Sequence, residues 1–158
     1  MIIIGYQGIG KTSLSKNGNG YIDLESGSFW VDGKRHDDWH IPYCNIAENL
    51  SDQGYRVFVS SHESVREQLR NSCQRKIIVY PAPHLRDAWI WRLEKRHNES
   101  QSEKDYKALA NAKESYAGNI QKLMWEEGFE KVMITELPYD LEELLERKLL
   151  KSEVAAGQ

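Results

Sequence analysis

The chain has 158 residues, 40% of them hydrophobic and 28% charged, with a formal net charge of −3. That is the length and balance of one ordinary globular domain, and without a global basic field nucleic acid is not an expected partner, although a local basic groove stays compatible with these numbers. No apolar run nears the roughly 20 residues of a membrane span, and Met1 leads into a strand-like run instead of a signal-peptide core, so a cytoplasmic protein without a membrane partner is expected. Cys44 and Cys73 have neither C-x-x-C nor zinc spacing and read as reduced thiols without a role.

The first predicted strand is Met1-Ile2-Ile3-Ile4. Directly after it, Gly5-Tyr6-Gln7-Gly8-Ile9-Gly10-Lys11-Thr12 satisfies G-x-x-x-x-G-K-[ST], in the strand-before, helix-after context that this pattern needs. Gly5, Gly8 and Gly10 let the backbone turn without a Cβ, so that successive N–H groups point inward at phosphate oxygens. The helix starting near Lys11 is expected to add its N-terminal partial charge. Gly8, Ile9, Gly10, Lys11, Thr12 and Ser13 are thus the expected ATP contacts, with Lys11 reaching the β and γ phosphates and the Thr12 hydroxyl ligating magnesium. The plainer alternative is a glycine-rich turn that only joins strand to helix.

A short helix to about Lys16 gives way to the turn Asn17-Gly18-Asn19-Gly20, then to a strand over Tyr21–Leu24. Phe29 to Trp39 has neither strand nor helix periodicity and reads as a loop or lid element. A helix is predicted from Ile41 to Gln53, stopped by Gly54, and a third strand over Arg56–Val59. Ser60 and Glu63 match a capping box for a helix to about Asn71. A fourth strand over Lys76–Tyr80 closes at Pro81-Ala82-Pro83, and a helix follows from about His84 to His97. Ser100 and Glu103 match a second capping box, for a long helix with one stripe of Tyr106, Leu109, Ala112, Tyr116, Ile120 and Leu123. The last strand covers Lys131–Thr135, and a helix capped by Asp140 runs to about Leu150, ahead of a flexible tail over 152–158.

Five short apolar strands alternating with helices, without hairpin signals, predict a five-stranded parallel α/β sheet covered by helices on both faces, three layers in all. Ligands of such sheets bind beyond the carboxyl ends of the strands. Those ends carry the glycine-rich loop, Asp23 and Glu25, Ser60-Ser61-His62, and Tyr80-Pro81. Asp23 and Glu25, two apart, are expected on one side; a carboxylate there can hold magnesium through water, take a proton from an attacking hydroxyl, or bind a sugar hydroxyl, or else be a solvated turn residue. Arg92 and Arg96 share a helix face and suit charge neutralisation on a transferring phosphoryl group, or a solvated face paired with Glu94 or Glu99. Arg66 and Arg70 suit a second phosphate-bearing substrate, or pairs with Glu63 and Glu67. His62 is a donor to substrate or a structural side chain beside a cap. Trp30, Trp39 and Tyr43 are base-stacking candidates or core anchors. Val57-Phe58-Val59-Ser60-Ser61 lacks the strand-end carboxylate that motor-type ATPases use for magnesium, which argues against a power-stroke ATPase.

These residues resemble the nucleoside-monophosphate-kinase-like group of P-loop proteins, which includes adenylate, shikimate and gluconate kinases. The resemblance runs to about Leu150 and rests on Gly5–Thr12, on Asp23-Leu24-Glu25, which looks like the acidic pair of shikimate kinases, and on Arg92-Leu93-Glu94-Lys95-Arg96, which looks like the R-L-x-x-R opening the adenylate-kinase lid. Val59-Ser60-Ser61-His62 followed by Arg66 is similar to gluconate kinase. Small phage-encoded kinase-like proteins look similar too. The resemblance implies a single P-loop kinase-like domain over 1–151, with a lid-like segment about 92–105 and an acceptor-side segment about 26–45. Catalytic duty would fall to Lys11, Asp23, Arg92 and Arg96, magnesium to Thr12 and Asp23, and the adenine of ATP to Arg92. The acceptor signatures of adenylate kinases are absent, so Ser26–Tyr43 is expected to recognise the acceptor. Asp23, Glu25, Trp30, Arg35, His62 and Arg66 are the substrate-binding candidates. Within Ser26–Tyr43, Trp30, Lys34, Arg35, His36 and Trp39 suit a planar anionic substrate, first of all a nucleoside or deoxynucleoside monophosphate. Two other readings stand beside this one: an ATP-binding switch that contacts a partner with little phosphotransfer, and a kinase of small metabolites or polynucleotide ends.

Overall fold

The computed structural model describes residues 1–29 and 34–157, with the backbone alone at 155 and 156. In chain order the elements are β1 (Ile2–Gly5), α1 (Lys11–Ser15), β2 (Tyr21–Asp23), α2 (His40–Asp52), β3 (Arg56–Ser60), α3 (Glu63–Leu69), β4 (Lys76–Pro81), α4 (Arg86–Ser100), α5 (Glu103–Trp125), β5 (Glu130–Ile134) and α6 (Leu141–Ala156). Single 3-10 turns cover Ser26–Phe29 and Pro83–Leu85. The expected parallel α/β sheet flanked by helices is present: five strands lie in the order β2-β3-β1-β4-β5.

Strand β1 is the hub of that order. Ile2, Ile3, Ile4 and Gly5 pair with Val57, Phe58, Val59 and Ser60 on one side and with Lys76, Ile77, Ile78 and Val79 on the other. Strands so enclosed are buried on both faces, which is why their sequences are apolar throughout instead of alternating. The chain leaves β1 toward β2 and β3 on one side, and later fills β4 and β5 on the other. The carboxyl end of β1 is therefore the topological switch point of the sheet, where open α/β folds take their ligands.

The described chain falls into two compact units. The first comprises Met1–Tyr6, Gly10–Val79 and Glu127–Lys131, and the second Gln7–Ile9, Tyr80–Glu126 and Val132–Gln158. The core of the first is Ile2–Ile4, Val57–Val59 and Ile77–Val79 with Tyr43, Cys44, Val65 and Leu69. Trp89, Leu93, Ala112, Tyr116, Ile120 and Leu145 form that of the second, where the Tyr116 hydroxyl donates to the Ala82 carbonyl at 2.8 Å. Among the described residues no helix is long and apolar enough to cross a membrane.

Several local expectations need correction. Ser60 is still a strand residue, so α3 starts from His62 with no side-chain cap, and the Ser60 hydroxyl bonds the His62 ring instead. Ser102, not Ser100, caps α5 by accepting from the Asp105 N–H, because the left-handed Gln101 (φ 53°) carries the chain past Ser100 before the next helix begins. Tyr106 leaves the predicted buried stripe: it is 57% exposed and its ring packs against His97. The stripe from Leu109 to Leu123 is buried as expected, although α5 kinks at Ser115. The final helix does not stop at Leu150: Lys151 to Ala156 contains no helix breaker, and the Ser152 hydroxyl turns back onto the Lys148 carbonyl. Asp140 caps it as expected, accepting from the Glu143 N–H at 3.0 Å.

Candidate functional site

In the first unit the glycine-rich loop ends at Gly10, whose φ of 108° serves as the start of α1 without a side-chain cap. A β-carbon is strained in that backbone region, which is why the position carries glycine. Lys11, Thr12 and Ser13 follow on α1; Lys11 and Thr12 are half-buried, Ser13 is exposed, and Lys11 Nζ reaches back toward the Gly5 carbonyl at 3.4 Å. At five residues, α1 is too short for the macrodipole expected of it to contribute much. Thr12 Oγ1 donates to Asp23 Oδ2 at 2.8 Å, joining the loop to the end of β2. Asp23 is thus placed where the sequence expected it. Glu25 lies two residues on, beyond the last strand residue Asp23, so the alternation that was to align the two carboxylates does not reach it.

Tyr43 is fully buried; its hydroxyl donates to the Leu24 carbonyl at 2.8 Å and accepts the Ser60 N–H at 2.9 Å. It is a core anchor tying the ends of β2 and β3, not a stacking platform, and burial first of all pushes its phenol pKa up. Around these strand ends lie Arg35, Trp39, His62 and Arg66. The Arg35 guanidinium sits 4.1 Å from the Trp39 ring centroid, and the His62 ring meets Trp39 edge-on at 5.2 Å. Arg66 is buried and donates to the Ser61 carbonyl at 2.9 Å, whereas Arg70 at the end of α3 is exposed.

His62 has one available tautomer in this arrangement. A guanidinium only donates, so His62 Nε2 accepts the long 3.5 Å contact from Arg35, and Nδ1 carries the proton toward Ser60 Oγ at 2.7 Å. Desolvation, followed by the charges of Arg35, Lys11 and Arg66, pushes its pKa down to about 4, although part of the residue stays exposed. Trp30 lies outside the described residues.

The second unit holds the middle of the same loop, Gln7, Gly8 and Ile9. Trp89 Nε1 donates to the Gln7 carbonyl at 2.9 Å, Arg92 Nε to the Gly8 carbonyl at 2.8 Å, and the Tyr139 hydroxyl to the Ile9 carbonyl at 2.6 Å. The donors are packed on one another. Trp89 and Tyr139 stack with centroids 6.1 Å apart, and the Arg92 guanidinium carbon is 5.2 Å from each ring. Gly8 has φ of +89°, and a β-carbon there would sit 2.9 Å from Leu93 Cδ2 and 3.2 Å from Trp89 Nε1. Burial raises the Tyr139 phenol to about 12, so the hydroxyl stays a donor at any working pH.

Arg96, expected beside Arg92 in a lid, is paired in this unit with the buried Asp105 at 3.0 Å, and Asp105 also accepts from the Ser100 hydroxyl. Sequence reasoning assigned no role to Trp89 or Tyr139. Trp89 and Arg92, three apart on α4, carried the one local signal of a shared face; nothing local marked Tyr139.

No protein-family model and no curated protein matches this chain. Among solved structures, the chain is similar to that of an uncharacterized protein from Eubacterium ventriosum, with a TM-score of 0.47 and 12% sequence identity, over 96% of this chain and 97% of that one.

Proposed function

We propose that the chain is an ATP- and magnesium-dependent phosphotransferase, a P-loop protein of the nucleoside-monophosphate-kinase-like kind, whose acceptor is a nucleoside or deoxynucleoside monophosphate. One observation carries the reading. The G-x-x-x-x-G-K-T segment leaves the carboxyl end of β1, with Gly8 and Gly10 both at positive φ, and its Thr12 hydroxyl meets the Asp23 carboxylate at 2.8 Å. A turn that merely joined strand to helix would need neither that pairing nor a lysine beside it.

The roles follow from the chemistry of the side chains. Lys11 offers a compact charge to the phosphates being separated, and consecutive amides of the loop supply donors that need no reorganisation. Thr12 and Asp23 are hard oxygen ligands, a fit for magnesium, which keeps several waters and uses few protein groups. Bound there, magnesium would neutralise charge on the transferring group. Asp23 also suits orientation of the attacking oxygen.

The acceptor side belongs to the segment 26–45 with the end of β3. Arg35, Lys11 and Arg66 all act on His62, so the environment is cationic while His62 itself stays neutral, which suits an anionic acceptor. The Trp39 ring beside Arg35 adds a planar surface. Two free thiols, Cys44 buried and Cys73 exposed, agree with a cytoplasmic enzyme.

The test is ADP release measured across nucleoside and deoxynucleoside monophosphates with ATP and magnesium. Acceptor-stimulated ADP formation with one of them is expected. Tight ATP binding with no stimulation by any acceptor would overturn the phosphotransferase reading in favour of a nucleotide-dependent switch.

A further inference from the structure

The carbonyl oxygens of Gln7, Gly8 and Ile9 are consecutive, and each accepts a hydrogen bond from a different side chain, Trp89, Arg92 and Tyr139 in turn. In a planar trans peptide the C=O and the following N–H point in opposite directions. Fixing these three carbonyls therefore also fixes the N–H groups of Gly8, Ile9 and Gly10, on the opposite edges of the same peptides. With Gly8 at φ 89° and Gly10 at φ 108°, successive amides have the alternating backbone handedness from which anion-binding concavities are made.

We infer that Trp89, Arg92 and Tyr139 are positioning residues, a clamp on the carbonyl face of the loop that holds its amide face ready for an oxyanion before any ligand arrives. The inference rests on the phosphate-binding reading of this loop, and it gives Arg92 a different task from stacking on adenine. Arg92 Nε is committed to Gly8, and Nη2 donates to the Tyr139 hydroxyl at 3.3 Å. The three side chains support one another: Arg92 lies over both rings while Trp89 and Tyr139 stack at 14°. Lysine does not replace Arg92 here, because a single ammonium cannot serve a carbonyl, a phenol and two ring faces at once. Preorganisation of this kind acts on affinity, since the ordering of the loop no longer has to accompany binding.

The experiment compares the unmodified chain with Tyr139→Phe, which keeps the ring and removes only the donor to Ile9, and with Arg92→Lys, which keeps the charge. Two probes are titrated calorimetrically in magnesium: ATP, and inorganic tripolyphosphate, which has no base to stack on. Backbone order of Gly8 and Gly10 is measured by NMR in the ligand-free proteins, well below each melting temperature. Both variants are expected to bind both probes about three- to tenfold more weakly, as loss of one positioning hydrogen bond implies, and to show loosened Gly8 and Gly10 backbones. If the unmodified chain binds both probes while both variants bind within twofold of it and keep rigid glycines, the clamp is wrong and the phosphate-binding reading stands. Weakening of ATP alone in Arg92→Lys, with tripolyphosphate unchanged, would return Arg92 to a base contact and also overturn the clamp. Absence of binding in the unmodified chain itself would remove both.

Discussion

Replacing Gly8 by alanine tests the loop geometry at its tightest point. The added β-carbon would lie 2.9 Å from Leu93 Cδ2 and 3.2 Å from Trp89 Nε1, with φ at +89°. Leu93 and Trp89 are both essentially buried, at 2% and 0% exposure, so neither has open space to swing into. The left-handed backbone alone costs an L residue about 1–2 kcal/mol. Overpacking against a closed wall adds about 1–3 kcal/mol. Gly54 separates the two contributions: its φ is +94°, but nothing lies within 4 Å of the β-carbon it would gain. The smaller conformational freedom of alanine in the unfolded chain is common to both variants and cancels in the comparison. Urea unfolding followed by circular dichroism should therefore place Gly8→Ala below Gly54→Ala by about 1–3 kcal/mol, the overpacking contribution alone. Equal stabilities for the two variants would refute the claim that Trp89 and Leu93 close on the loop at Gly8.

Three further outcomes are expected. His62 should titrate near the value of about 4 produced by burial and by Arg35, Lys11 and Arg66, and because the unfolded chain then holds more protons up to the ordinary imidazole pKa of about 6.5, stability should rise with pH across that window; an NMR midpoint near the ordinary value, or one that Arg35→Gln leaves in place, would contradict this. Lys76→Met should destabilise the chain by about 1–3 kcal/mol by urea unfolding, since the buried ammonium donates to the Arg70 and Ser72 carbonyls at 2.7 and 2.8 Å and an alkyl chain leaves both without it. Asp140→Ala should cost about 1 kcal/mol through loss of the α6 cap, with Asp140→Asn close to the parent, and equal loss in both would argue against capping.

The elements of this fold were legible because their signals are local. Ile2–Ile4, Val57–Val59 and Ile77–Val79 are apolar runs as long as buried parallel strands, and the long, helix-bearing segments between them carry no hairpin signal. Both capping boxes failed for one reason. Ser60 and Ser100 have the right spacing to an acidic residue, but the pattern does not reveal that Ser60 is still paired in β3 or that Gln101 turns the chain before α5. Thr12 and Asp23 were each legible as residues facing the loop, one from the motif and the other from the strand-end pattern of β2, but their hydrogen bond to one another was not. Nor were the contacts on the loop carbonyls: Trp89 stands 82 residues from Gln7 and Tyr139 stands 130 from Ile9, and neither local pattern nor propensity encodes contacts over such separations. Arg96 shows the converse, where a plausible motif residue is taken up by a partner, Asp105, that spacing on its own helix did not suggest.

Calorimetric titration of ATP with magnesium into the unmodified chain and into Lys11→Ala bears most directly on the central claim, that the turn from Gly8 to Thr12 receives a triphosphate. Saturable binding by the parent and a loss of at least about tenfold in the variant, the size of one strong charge-assisted contact, is the predicted result. Equal affinity in the two proteins, or no heat from either, would contradict it.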